Sequence, residues 1–186
     1  FYTWVLTSAE YGVTDLLLQT GNLIIPIASV GNANAVIRYG LERSGDKNGV
    51  FTIGVLTTLA GFCLLLLASP LLGQIAFLSG YLWLVLLYVL AANVHSVCSQ
   101  FARTLGHVRL FALDEVLRTV LTIFFNIHRL AVIPMGVTGY LLANVLSDGL
   151  TTSFVFIRAR EWRYLSASSV SRRGAARILR HSSARL

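Results

Sequence analysis

Apolar residues run through this chain in five long blocks, and the polar residues inside each block recur at helical intervals. On a window of about 19 residues the blocks cover residues 13–35, 50–72, 81–99, 110–133 and 137–157. At ~1.5 Å of rise per residue each is long enough to cross a hydrocarbon core of ~30 Å, so each predicts a membrane-spanning helix. In the first block Asp15, Gln19, Asn22, Pro26 and Ser29 follow one another at intervals of 4, 3, 4 and 3, which stacks them on one helix face. Arg118, Thr122, Asn126 and Arg129 do the same in the fourth block. Tyr140, Asn144, Ser147 or Asp148, and Thr151 do so in the fifth. A polar group left unpaired in hydrocarbon is costly. Each stripe therefore faces either a water-filled cavity or a neighbouring helix with which it hydrogen-bonds. Pro26 predicts a kink in the first helix, suited to a moving gate or to a static bend.

Charged residues inside such blocks are the first candidates for chemistry, because their burial is expensive. Arg118 has Asp114 four residues before it, and an i,i+4 ion pair is as good an account of it as a ligand contact. Asp148 has no acid or base within four residues on either side. Its partner must come from another helix, from water or from a transported cation. Gly54 and Gly61 flank Thr57 and Thr58 in the second block, where small side chains let helix backbones approach. Tyr81, Trp83 and Tyr88 gather toward one end of the third block, as membrane-interface aromatics do. Asn93, His95 and Ser96 polarise its other end, with His95 read as a hydrogen-bonded interface residue rather than a proton carrier.

Charge then orients the helices. Of the 15 Lys and Arg residues, all but Arg129 fall in the loops around 38–49 and 100–114, at the adjacent Arg118, or after residue 157. By the positive-inside rule those regions face the cytoplasm, and residues 1–12, 73–80 and 130–136 face out. A content of 55% hydrophobic and 12% charged residues is too apolar for a soluble domain. The net charge of +7 sits at span ends and in a tail, where topology and anionic lipid account for it, so no nucleic-acid partner is expected. The division is a helical bundle over 1–165 and a basic, amphipathic, cytoplasmic segment over 166–186. Cys63 and Cys98 lie within blocks and have no CxxC or histidine partner at ligand spacing. They are read as packing residues, with no metal, disulfide or cofactor expected.

No G-x-S-x-G, H-E-x-x-H or phosphate-cradling glycine loop is present, and the adjacent Asp114 and Glu115 point about 100° apart on a helix. An enzyme is therefore not the expectation. The chain starts at Phe1 without a methionine, and five spans with an outside N-terminus call for a preceding helix. The expectation is a fragment of a larger protein.

The stretch Phe1-Tyr2-Thr3, Val5-Leu6-Thr7, Ala9-Glu10-Tyr11-Gly12 and Asp15-Leu16 resembles the polysaccharide biosynthesis proteins, the oligosaccharide flippases of the multidrug/oligosaccharidyl-lipid/polysaccharide exporter superfamily. The likeness continues in Ala35-Val36-Ile37-Arg38-Tyr39, Gln100-Phe101-Ala102-Arg103 with Gly106, and Gly136-Val137-Thr138-Gly139-Tyr140 ahead of Asp148. It extends through Trp162-Arg163-Tyr164 to Leu179-Arg180-His181-Ser182. The resemblance implies an all-α membrane protein, with these five helices forming most of one six-helix lobe whose second lobe is missing here. It further implies a multi-pass protein of the bacterial inner membrane that moves a lipid-linked oligosaccharide, the polysaccharide repeat unit, across the bilayer by alternating access, with membrane lipid as its surroundings. On that reading Asp15, Gln19, Asn22, Arg38, Arg118, Thr122, Asn126 and Asn144 line the cavity or meet the substrate, and Asp148 couples an ion. Arg38, where the first span meets the loop, offers a planar fork suited to pyrophosphate, or only snorkels to the headgroups. The alternatives are a cation-coupled drug or metabolite exporter of the same superfamily, and an integral-membrane glycan polymerase or glycosyltransferase.

Overall fold

The computed structural model describes residues 8–29, 47–128 and 136–164. Among these residues there is no strand. Helix α1 covers Ser8–Ser29, α2 Lys47–Leu72, α3 Ala76–Ser79, α4 Leu82–Thr104, α5 Val108–Ile127 and α6 Gly136–Arg158, followed by a 3-10 turn at Glu161–Tyr164. Arg38, Arg129, residues 30–35 and 129–133 of the expected spans, and the 166–186 segment lie outside the described residues.

Three helices, Asn48–Leu72 within α2, α4 and α6, are long and apolar enough to cross a membrane. Helices α1 and α5 stand where the pattern places them, at 22 and 20 residues. Their polar content leaves them outside that group: α5 carries Arg109, Asp114, Glu115 and Arg118, and α1 carries Glu10, Asp15, Gln19 and Asn22.

Helix ends differ from the hydrophobic boundaries for a physical reason. Backbone hydrogen bonding continues as long as the next amide can reach four residues back, whatever the side chain's polarity. Thus α4 runs five residues past position 99, through Gln100, Arg103 and Thr104. It is stopped by Gly106, whose φ of +86° suits a residue without Cβ. His107 N donates to Ala102 O at 3.1 Å and Gly106 N to Arg103 O at 3.0 Å, the paired cap of a Schellman motif. This turn reverses the chain into α5.

Helix α4 is the centre of the bundle, packed against α1, α2, α5 and α6, and α6 in turn packs against α1 and α5. Two apolar clusters hold it together. One joins Leu17, Ile24 and Ala28 of α1, Leu78 of α3, Val85 and Val89 of α4, and Val137 and Leu141 of α6. The other joins Val50 and Phe51 of α2, Val97, Cys98, Phe101 and Ala102 of α4, and Val155 and Ala159 at the end of α6. Phe51 and Phe101 stack there at 4.4 Å between centroids. Between the clusters lies a polar layer: Asn93 and His95 on α4, and Ser147, Asp148 and Thr151 on α6, all buried.

The outer surface is the reverse. Leu56, Leu59, Leu64, Leu67 and Leu71 of α2 are exposed, as are Val116, Val120, Ile123, Phe124 and Ile127 of α5. The only residues α5 buries are Asp114 and Asn126. On α5 the fully buried residues are polar and these exposed ones apolar, the arrangement a hydrocarbon solvent selects, because buried polar groups then pair within the protein.

Candidate functional site

Among the described residues the polar layer contains two centres built on a buried carboxyl group, both formed across helices. In the first, Arg118 of α5 donates from Nε to Asp148 Oδ1 of α6 at 2.5 Å. The Asp148 side chain is 1% exposed and the Arg118 side chain 34%, so the carboxylate is the buried anchor and the guanidinium the accessible partner. Asp148 Oδ2 is buried and accepts no hydrogen bond among the described residues.

Tyr88 of α4 completes this centre. Its hydroxyl donates to Asn22 Oδ1 of α1 at 3.0 Å, and it lies within electrostatic reach of both Asp148 and Arg118. It is buried, not seated at a membrane interface as the aromatic clustering of Tyr81, Trp83 and Tyr88 suggests. Trp83 is the exposed one of the three. Tyr88 shares the face of α4 that buries Val85, Val89 and Ala92, and that helical spacing is the signal in the sequence that marks it as internal. The ring lies directly on α1: a Cβ placed at Gly21 would sit 2.8 Å from Tyr88 Cε1. Gly21→Ala is expected to push the buried ring aside, break its bond to Asn22 and lower stability by about 1–2 kcal/mol. Thermal unfolding in detergent checks this against Gly12→Ala, where nothing stands within 4 Å of the added atom. Equal effects of the two substitutions would refute the packing account.

In the second centre, Asp114 of α5 is fully buried. His95 Nε2 approaches its Oδ2 at 3.0 Å, and Ser99 Oγ donates to the same oxygen at 2.6 Å. The i,i+4 pairing of Asp114 with Arg118 is thus not formed: each takes a partner from a different neighbouring helix. The reading of His95 as a hydrogen-bonded residue matches its place here, although it is buried in the layer.

The remaining candidates distribute as follows. Asp15, Gln19, Asn22 and Pro26 are all exposed on one side of α1, and Ser29 at its end is buried. Thr122 is half-buried on α5. Asn126, two turns beyond Arg118, is buried, and its Oδ1 accepts no hydrogen bond among the described residues. Asn144 is half-buried and donates from Nδ2 to Tyr140 O of its own helix at 2.9 Å. The structure therefore gathers Asn22, Arg118 and Asp148 around Tyr88, and leaves Asp15 and Gln19 along the open face leading to them. Among the described residues no group of three or more His, Cys, Asp or Glu side chains stands where it can hold a metal ion.

No family model, curated protein or solved structure matches this chain. What it does must be argued from the site itself.

Chemically, the first centre is a guanidinium pinned from behind. Its Nε is committed to Asp148, and the remaining donors of the fork, which have no hydrogen-bond partner among the described residues, can meet an acceptor approaching from the exposed side. A buried carboxylate behind an accessible arginine fixes its direction and reduces the ordering cost of a bound anion.

Proposed function

We propose that this chain is part of one lobe of a bacterial inner-membrane transporter that carries a lipid-linked oligosaccharide, with the Arg118–Asp148 centre contacting the anionic pyrophosphate. The observation that carries the reading is the pairing of an accessible Arg118 with a fully buried Asp148, next to the exposed polar stripe of α1. On a surface otherwise faced with leucine, isoleucine and phenylalanine, an open row of Asp15, Gln19 and Asn22 is costly unless water, substrate or a second lobe covers it. The buried polar and exposed apolar residues of α5 support placing it in lipid with α2, α4 and α6. With α1 included, five helices cross the membrane, as the hydrophobic pattern expects. Repeat-built transporters bind substrate near the midplane between two such bundles, which is the depth of this polar layer.

The test uses the full-length gene product in proteoliposomes with a fluorescent lipid-pyrophosphate oligosaccharide. Forked recognition needs a planar guanidinium, so Arg118→Lys is expected to slow translocation about tenfold or more, with the folded protein retained. Wild-type translocation in Arg118→Lys would refute forked recognition, and transport of a drug-like organic cation with no lipid substrate would overturn the reading in favour of a cation-coupled exporter. Release of free glycan or polymer instead would favour the transferase class. Asp148→Asn separates ion coupling from positioning: loss of gradient dependence alone indicates coupling, and parallel loss with Arg118→Lys indicates that Asp148 acts through the arginine.

Orientation is tested separately. Lys47, Arg103, Arg109, Arg158, Arg160 and Arg163 all lie at the end of the bundle where α2 begins, α4 ends and α6 ends, and this end is assigned to the cytoplasm. In a Cys63→Ser background, a cysteine at Gly80 should be labelled by an impermeant maleimide from outside, and one at His107 only after permeabilisation. Both residues are exposed. The reverse pattern would sink the orientation.

A further inference from the structure

Glu161 is a charged residue flanked by Arg160 and Arg163, yet it is fully buried. Arg160 directs it inward: its φ of +54° is a left-handed conformation that L-residues other than Gly, Asn and Asp rarely hold. It turns the chain after α6 back over the basic end of the bundle. Three contacts hold the 3-10 turn there. Thr52 Oγ1 of α2 donates to Tyr164 O at 3.3 Å, Tyr164 packs edge-on against Phe101 at 5.3 Å, and Trp162 lies 6.0 Å from Phe156. Beneath them neither oxygen of Glu161 accepts a hydrogen bond of ordinary geometry among the described residues. The Cys98 thiol of α4 lies beside it as a weak donor. Asp114 of α5, already engaged by His95 and Ser99, faces it with the same sign of charge. From α2 the neutral Thr52 meets the turn at Tyr164. Arg158, Arg160 and Arg163 are exposed and turn their charge away from the carboxyl.

An ionised carboxylate with only a weak thiol donor and an acidic neighbour is unfavourable in such a place, whereas a neutral carboxylic acid is tolerated. We propose that Glu161 is a proton-binding site that latches the Glu161–Tyr164 turn onto α2 and α4: the turn docks while the carboxyl carries its proton, and detaches when that proton leaves to water. The strained φ at Arg160 favours release once the contact below is lost. The inference is independent of what the protein transports.

Burial, the largest cause, and Asp114 raise the Glu161 carboxyl from its ordinary 4.5 to about 8, with the Cys98 contact opposing them. A raised value in the docked state means that docking has its full advantage below about 4.5, weakens from there as pH rises, and has lost that advantage above about 8.

Cys98 is buried under the turn and serves as a native reporter. In the Cys63→Ser chain in lipid nanodiscs, alkylation of Cys98 by N-ethylmaleimide is measured from about pH 6 to about pH 9, beside the same chain with Glu161→Gln. The reagent reaches Cys98 only once the turn has detached, when the thiol is away from residue 161 in both chains, so their ratio reads the latch. The wild-type to Glu161→Gln ratio should rise about tenfold or more across that range; a constant ratio overturns the proposal. If Glu161→Gln exposes Cys98 at every pH, hydrogen exchange on the unsubstituted chain decides. Protection factors at 159–164 should fall with rising pH while those at 85–97 hold, and unchanged protection at 159–164 overturns the proposal.

Discussion

Gly61→Ala will separate α1 from α2 and lower the stability of the bundle by about 2 kcal/mol or more. A Cβ at Gly61 would overlap the backbone carbonyl of Ala28. Because the obstacle is main chain, no rotamer change relieves it, and one helix must move bodily. Alanine's better helix propensity, worth about 1 kcal/mol, works in the other direction and is the smaller term. Gly149→Ala isolates that term, since nothing stands within 4 Å of its added atom. It should be neutral or slightly stabilising. Thermal unfolding of both variants in detergent, with the Ile24–Ala28 region followed by hydrogen exchange, provides the comparison. A Gly61→Ala protein as stable as Gly149→Ala would mean that the two helices do not cross there.

The second large effect is expected at Arg118 and Asp148, and it is asymmetric. Removing one partner of a buried pair leaves the other's charge uncompensated, at about 3–5 kcal/mol when burial is complete. Arg118→Ala strands Asp148, whose side chain is 1% exposed and whose Oδ2 already has no hydrogen bond among the described residues, so its cost should be ~3 kcal/mol. Asp148→Ala strands an arginine with 34% of its side chain exposed. That group can rotate toward the open face, and solvent screening reduces the penalty to roughly 1 kcal/mol. The double variant should be more stable than Arg118→Ala alone, giving a coupling of about 2 kcal/mol in the cycle. Additive effects would show that the pair contributes no interaction energy.

Much of the fold is legible in the pattern of the chain, because lipid imposes both helical backbone and long apolar runs. The expected blocks coincide with α1, α2, α4, α5 and α6 to within a few residues where the ends are described. Misplaced ends share one cause: the hydrophobic window closes where the side chains become polar, at Ser99, but the helix continues to Thr104 until a glycine can cap it. The glycine signal was also legible, since Gly61 does mark a close backbone approach. Tyr88 was misread because aromatic clustering near a span end is a one-dimensional cue. Its burial depends on Gly21 of α1 opening a space for the ring.

The periodicity of the chain determined by itself which residues share a face: Asp15 with Gln19 and Asn22, and Arg118 with Thr122 and Asn126. It also determined that Asp148 needed a partner from beyond its own helix. Only the tertiary structure decided who pairs with whom. Asp114 and Arg118 are one turn apart, and four residues advance a helix by about 40° beyond a full circle. That small rotation is enough for α5, wedged between two neighbours, to turn Asp114 toward His95 and Ser99 of α4 and Arg118 toward Asp148 of α6. An ion pair across helices stabilises the packing that creates it, whereas a pair within α5 would take these contacts from the buried His95, Ser99 and Asp148. Glu161 is the extreme case. Set between two arginines it has the local sequence of an exposed turn, and its burial follows from a single left-handed residue and from surfaces on α2 and α4 that lie about 110 and about 60 residues earlier in the chain, respectively, and that no local pattern encodes.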